Sequence, residues 1–345
     1  MDLRSHVQNT LKLNPAASPW PKMLLCGVAT TAPLFVGHYR DQLSVAIFGA
    51  LAAYLLVLND HLGPLWRRLL NFTLTFIALC IGMTAGILLE GHPQIFTLAL
   101  LVMTYFIGLM DAKNSEFERA VLFATFQMLA GFATSAIGKH IDSAFSYALL
   151  GYVITMLAVI LIVTIAGQKP QSYQRYRDTI RSALTRDRSR HFYSFTYCLA
   201  VLATLSVVTY FKVDHGYWAV GTVLITMRPD SLLSIYRSIQ RLFGTLLGVI
   251  IAGLAIYYIR QPLPLIVLTF LVCVGAPWAL ASAYWLGSGF LAVVILILLD
   301  LPFAQVGDLH TPFLRLQATA IGCGFTILAV LATHLHKKWA KLIFH

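Results

Sequence analysis

Residues 261–299 read QPLPLIVLTFLVCVGAPWALASAYWLGSGFLAVVILILL, 39 positions without a charged side chain. A helix of that length would reach about 60 Å, twice the roughly 30 Å hydrocarbon thickness of a bilayer. The stretch therefore reads as two membrane helices, with the break expected around Trp285-Leu286-Gly287-Ser288-Gly289. Further charge-free runs flank it on both sides, at 23–39, 42–59, 69–89, 91–110, 120–138, 143–168, 191–211, 215–227, 242–259 and 316–336. Counting the long run twice gives twelve. Hydrophobic residues make up 58% of the 345 residues and charged ones 11%, against about 25% charged in soluble domains. The fold class is all-α: a polytopic membrane protein of about twelve transmembrane helices.

The net charge of +11 would indicate a nucleic-acid partner only if the bases formed a patch on a soluble domain. Here they sort by side of the membrane. With the N-terminus inside, twenty of the 25 bases fall in inside segments, seven of them between Lys169 and Arg190. Arg40, Lys139, Lys212, Arg260 and Arg315 fall outside. This positive-inside bias puts both termini in the cytoplasm and excludes nucleic acid as the partner. The basic segment QKPQSYQRYRDTIRSALTRDRSRH reads as a solvated linker, with anionic lipid headgroups as its possible contact. The first apolar run lacks a small-x-small cleavage site and is expected to remain as the first span.

Shifting the chain by 170 residues superposes the apolar runs of its two halves and aligns Asp60 with Asp230, Arg67 with Arg237 and Thr75 with Thr245, while Arg241 meets Asn71. Two parallel six-helix repeats follow as the expected architecture: a cytoplasmic segment 1–21, a first repeat 22–168, the linker 169–191, a second repeat 192–336 and a tail 337–345. Parallel repeats place transport sites at their interface.

Within 231–259 one helical stripe carries Arg237, Arg241, Gly244, Gly248, Ala252 and Ala255. The first half repeats it as Arg67, Asn71, Thr75, Ala78, Gly82 and Gly86. The small residues, Gly82, Gly244 and Gly248 above all, allow close helix packing. Arginines on that protein-facing side line a water-filled path or pair with an acid, and a guanidinium fork matches a carboxylate. The candidate substrate residues are thus Arg237, Arg241, Arg67 and Asn71. Tyr217 and Trp218 join them either as stacking partners for an aromatic substrate or as interface anchors. Asp60 and Asp230 are the candidates for proton coupling, for pairing with Arg67 and Arg237, or for simple helix termination.

Other chemistries find little support. The five cysteines lie inside apolar runs without metal-like spacing, and His334-x-His336 reads as membrane-edge polar residues. Neither a metal nor a cofactor is expected. Gly287-Ser288-Gly289 has no histidine at motif-like spacing, so the chain is not read as an enzyme. It has no phosphate-binding Gly-x-x-x-x-Gly-Lys-Ser/Thr loop either.

Three blocks carry a family resemblance: Tyr217-Trp218-Ala219-Val220-Gly221-Thr222-Val223, then Arg228-Pro229-Asp230, then Tyr236-Arg237-x-x-x-Arg241-x-x-Gly244-Thr245-x-x-Gly248. With Phe313-Leu314-Arg315-Leu316-x-Ala318-Thr319-x-Ile321-Gly322, they resemble the fusaric-acid-resistance (FUSC) family over about 192–335. That family is similar to bacterial aromatic-acid exporters and more distantly to plant channels carrying malate. The resemblance implies a bacterial inner-membrane exporter of aromatic or other weak organic acids; without a nucleotide-binding loop, the proton gradient is its expected drive. A passive organic-anion channel is the alternative. An envelope partner or a homo-oligomer is compatible with either, and larger members add a soluble cytoplasmic domain that this chain reads as lacking.

Overall fold

The computed structural model describes residue 13 and residues 19–60, 63–110, 116–133, 141–167, 188–306 and 309–343, with side chains up to 333 in the last helix. Most of the linker 169–191 and of the segment 1–21 lies outside the described residues, as do the side chains of His334, His336, Lys337, Lys338 and Lys341.

Twelve α-helices run through the described chain: α1 Trp20–Tyr39, α2 Leu43–Leu58, α3 Leu65–Leu88, α4 Pro93–Met110, α5 Glu116–Ala133, α6 Ile141–Ala166, α7 Arg188–Tyr210, α8 Tyr217–Thr226, α9 Ser231–Tyr258, α10 Pro262–Ser282, α11 Tyr284–Asp300 and α12 His310–Ile343. Each apolar run has become a helix. Eight (α3, α4, α6, α7, α9, α10, α11 and α12) are long and apolar enough to cross a membrane. Of the other four, α2 and α8 are short, with 16 and 10 residues, and α5 opens on Glu116 and Glu118.

The burial pattern is that of a protein solvated by lipid. Along α9, Leu242, Leu246, Ile250 and Leu254 are exposed, while Ser234, Ser238, Arg241, Thr245 and Gly248 are buried. Water would favour the reverse; hydrocarbon favours burying every polar group against protein. Helix association then rests on close packing rather than on hydrophobic transfer. Backbones touch where side chains are missing: a Cβ on Gly82 would fall on the Ala124 carbonyl of α5, and one on Gly244 would fall on the Trp285 carbonyl of α11. A Cβ on Gly248 would sit 2.5 Å from the Gly289 carbonyl.

These approaches make α3–α5 and α9–α11 the most extensive helix pairs, and α2–α6 and α8–α12 pack likewise. The two groups of six meet where α4 lies on α7 and α10 lies on α1.

The break in the long run is not at Gly287-Ser288-Gly289. It is the single extended residue Ala283, φ −162° and ψ 141°, between α10 and α11. The glycines sit inside α11, where they admit α9 and α10: a Cβ on Gly289 would meet the Gly244 carbonyl at 3.0 Å, and one on Gly287 would collide with Leu280. Glycine there serves packing between helices, a use that outweighs its low helix propensity.

The α8–α9 turn has a local cause as well. Arg228 precedes Pro229, which disfavours helical backbone, and α8 stops with Met227 extended. Ser234 clasps the turn, its hydroxyl accepting from the Arg228 N–H at 2.8 Å and lying 2.9 Å from the Arg228 carbonyl.

Candidate anion-binding site

Asp230 begins α9. Its carboxylate accepts hydrogen bonds from the Leu232 and Leu233 N–H groups at 2.9 and 3.4 Å, and the residue is exposed. This is N-capping of the helix, not a pairing with Arg237. The half-buried Arg237 instead sets its guanidinium 5.4 Å from the centroid of the Tyr284 ring.

One turn further, Arg241 is only 2% exposed and faces the protein. Among the described residues it makes no hydrogen bond or ion pair, and its Nε is buried without a partner. Its charge acts on a second buried cation, Arg315 of α12, and on the Tyr54 hydroxyl of α2. Arg315 is 6% exposed, its Nε likewise unpartnered, and its guanidinium lies 5.1 Å from the centroid of the Trp218 ring. The hydroxyls of Thr245 and Tyr54 are buried without partners too. Among the described residues, Arg241 and Arg315 are thus two buried cations within electrostatic reach of each other, one of them on the Trp218 indole and neither paired with an acid. Leaving a buried charge uncompensated costs several kcal/mol, and ionisable residues directed into a membrane bundle are candidates for lining a substrate or ion path.

The first six helices solve the same problem differently. Arg68 forks onto Asp60, Nε–Oδ1 2.9 Å and Nη2–Oδ2 2.5 Å. Arg67 pairs with Glu116 at 3.0 Å. Asp60 therefore takes Arg68 as its side-chain partner rather than Arg67, and its backbone carbonyl accepts from the Lys22 ammonium at 2.6 Å. Asn71, the register counterpart of Arg241, donates to the Asn59 carbonyl at 2.7 Å, while Asn59 donates to Thr75 at 2.8 Å. Glu118 reaches Arg228 at 3.2 Å and so ties α5 to the α8–α9 turn. Arg67 and Asn71 belong to this internally compensated cluster, and Arg241 and Arg315 to the uncompensated one.

The structure thus buries Arg241 within electrostatic reach of Arg315, which lies on Trp218, leaves Arg237 on Tyr284 and puts Tyr217 in the wall of a neighbouring cavity. Gly244 and Gly248 face α11 rather than an open vestibule. Arg315 is a correction: it is no outside-segment residue but stands buried within α12. Its signal was the stripe Arg315, Thr319, Gly322 and Thr326, all but Gly322 carrying a buried polar group. Gly322 lies against the Ala219 carbonyl of α8 at 2.5 Å from its would-be Cβ.

Twelve helices with apolar residues outward and arginines inward define a multi-pass membrane protein. Residues 200–329, which include Trp218, Arg237, Arg241 and Arg315, match the family model described as Fusaric acid resistance protein-like. A 60-residue stretch is 35% identical to an uncharacterized protein of Synechocystis sp. (strain ATCC 27184 / PCC 6803 / Kazusa), covering 17% of this chain and 8% of that protein's length. No solved structure matches the chain.

Proposed function

We propose that the protein is a secondary carrier that exports aromatic or other weak organic acids as anions across the bacterial inner membrane. The observation that carries this reading is the buried Arg241–Arg315 pair, which has no acid partner among the described residues. A carboxylate of the substrate supplies the missing charge, with charge-assisted hydrogen bonds from the guanidinium groups. The family description names fusaric acid, an aromatic carboxylic acid, in keeping with an indole face at the site.

Two parallel six-helix repeats fit the helix pairing, since α3–α5, α2–α6 and α4–α7 recur six helices later as α9–α11, α8–α12 and α10–α1. Tyr54 comes from the first repeat and the arginines from the second, as expected for a site at the repeat interface. The cytoplasmic termini, the lipid contact of the linker and any oligomer or envelope partner belong to the same reading.

A passive channel for the same anions is the second reading. It is favoured by the engagement of both coupling candidates, Asp60 by Arg68 and Asp230 by its helix cap. Purified protein in sealed vesicles, loaded with labelled benzoate under an imposed pH gradient, tests both. Accumulation above the equilibrium ratio supports the carrier, dissipation alone supports the channel, and benzoate flux no greater than in empty vesicles overturns the anion reading itself.

A further inference from the structure

A cavity of about 650 Å³ opens at the end of the bundle where α8 and α12 begin. That volume lies within the roughly 300–1,000 Å³ usual for small-ligand sites. Its walls differ in character. One is apolar: Phe96 and Phe132, stacked with ring centroids 3.7 Å apart, together with Leu205 and Leu314. The other carries Lys212, His215 and His310, with Tyr217 and Asp214 beside them. Such a division suits a flat apolar body bearing one negative group. Lys212 and His215 both hold left-handed backbone, φ 50° and 52°, a conformation that costs a non-glycine residue roughly 1 kcal/mol or more. The turn is held in that shape although it places two basic side chains in one cavity.

The cavity also touches the arginine site. Leu314 and Tyr217 of its wall are the chain neighbours of Arg315 and Trp218, and the His215 imidazole stacks on the Trp218 ring at 4.6 Å, interplanar angle 13°. The Tyr217 hydroxyl lies 3.3 Å from His215 Nδ1. One ring thus has His215 of the cavity and Arg315 of the buried site as neighbours.

We propose that this cavity is a second binding station for an aromatic carboxylate, the ring against Phe96, Phe132 and Leu314 and the carboxylate on His215, His310 and Lys212. The proposal rests on the anion-carrier reading, whose orientation makes this station the outward one. Burial holds the His215 imidazole below its ordinary range and His310 pushes it the same way, while Asp214 opposes them. Among the described residues, Lys212 and Tyr217 are the other titratable groups lining the cavity, with Arg315 next to Leu314 in the chain. His215 therefore takes up its proton at lower pH than an ordinary histidine and gains its charge as the outer side acidifies. A bound carboxylate favours that protonated form, so affinity at this station rises with acidity.

Equilibrium binding of labelled benzoate to the full chain in lipid nanodiscs, at two pH values, tests this. Two sites per chain are expected, one of which tightens about tenfold from roughly pH 7.5 to roughly pH 5.5, the scale of one charge-assisted hydrogen bond. The Arg241→Gln/Arg315→Gln variant should keep the pH-dependent site and lose the other. The His215→Gln/His310→Gln variant should do the reverse. His215→Lys, permanently charged, should bind at the higher pH as wild type does at the lower. A single pH-independent site, lost with the arginines, would overturn the second station and leave the central site standing. A pH-dependent site alone, unmoved by the arginine variant, would uphold the station and refute the carrier site. No benzoate binding at either pH overturns both.

Discussion

Arg315 lies with its guanidinium 5.1 Å from the centre of the Trp218 ring, a cation–π contact between α12 and α8 inside the bundle. The contact gives Arg315 partial compensation from a neutral group, so its charge stays available to a ligand. A desolvated cation–π pair contributes about 2 kcal/mol. Trp218→Leu should therefore weaken substrate interaction about tenfold or more, whereas Trp218→Phe should retain most of it. The KM for efflux from vesicles, at matched protein level, measures both.

The Asp60–Arg68 fork is expected to be structural. Breaking a buried pair from one side costs about 3–5 kcal/mol, so Arg68→Met should depress thermal stability sharply. Adding Asp60→Asn removes the stranded charge and should restore much of the loss. The double variant should then transport at a rate near wild type across external pH; a flattened pH profile in this stable variant would return Asp60 to a coupling role.

Gly244 is a backbone-contact position. Gly244→Ala puts a methyl group on the Trp285 carbonyl, and overpacking of this kind costs about 1–3 kcal/mol. A lowered Tm is expected, and Gly91→Ala, with nothing within 4 Å of the added atom, should leave it unchanged. Equal Tm shifts in the two variants would contradict the packing of α9 on α11.

Much of this was legible in the sequence because lipid leaves a one-dimensional trace: each charge-free run became a helix, and the periodic stretch 231–259 became α9 almost residue for residue. Arg241 was legible for the same reason, as a charge on the small-residue stripe. Arg315 was misplaced because the runs were delimited at charges, so a cation buried inside a helix was read as its edge. The partners of Arg67 and Arg228 were invisible, since Glu116 and Glu118 are 49 and 110 residues away and only folding joins them. The break at Ala283 was missed because glycine marks a close backbone approach as readily as a chain break.

The role of Glu118 follows from that distance. It is the ion-pair tie from α5 to the α8–α9 turn, so Glu118→Gln should loosen the turn without touching the arginine site. Hydrogen exchange at the amides of 227–234 should accelerate, with benzoate binding at the central site unchanged; unaltered exchange would mean the pair does not hold the turn.

The central claim is that Arg241 and Arg315 receive the substrate anion as a pair. Benzoate efflux from vesicles containing Arg241→Lys/Arg315→Lys tests it most directly, because lysine keeps both charges and loses the planar fork. Substrate interaction should weaken by about 1–3 kcal/mol, with protein level and Tm preserved and Arg237→Lys behaving as wild type. Efflux with unchanged KM and rate in the double lysine variant would contradict it and place the anion elsewhere in the bundle.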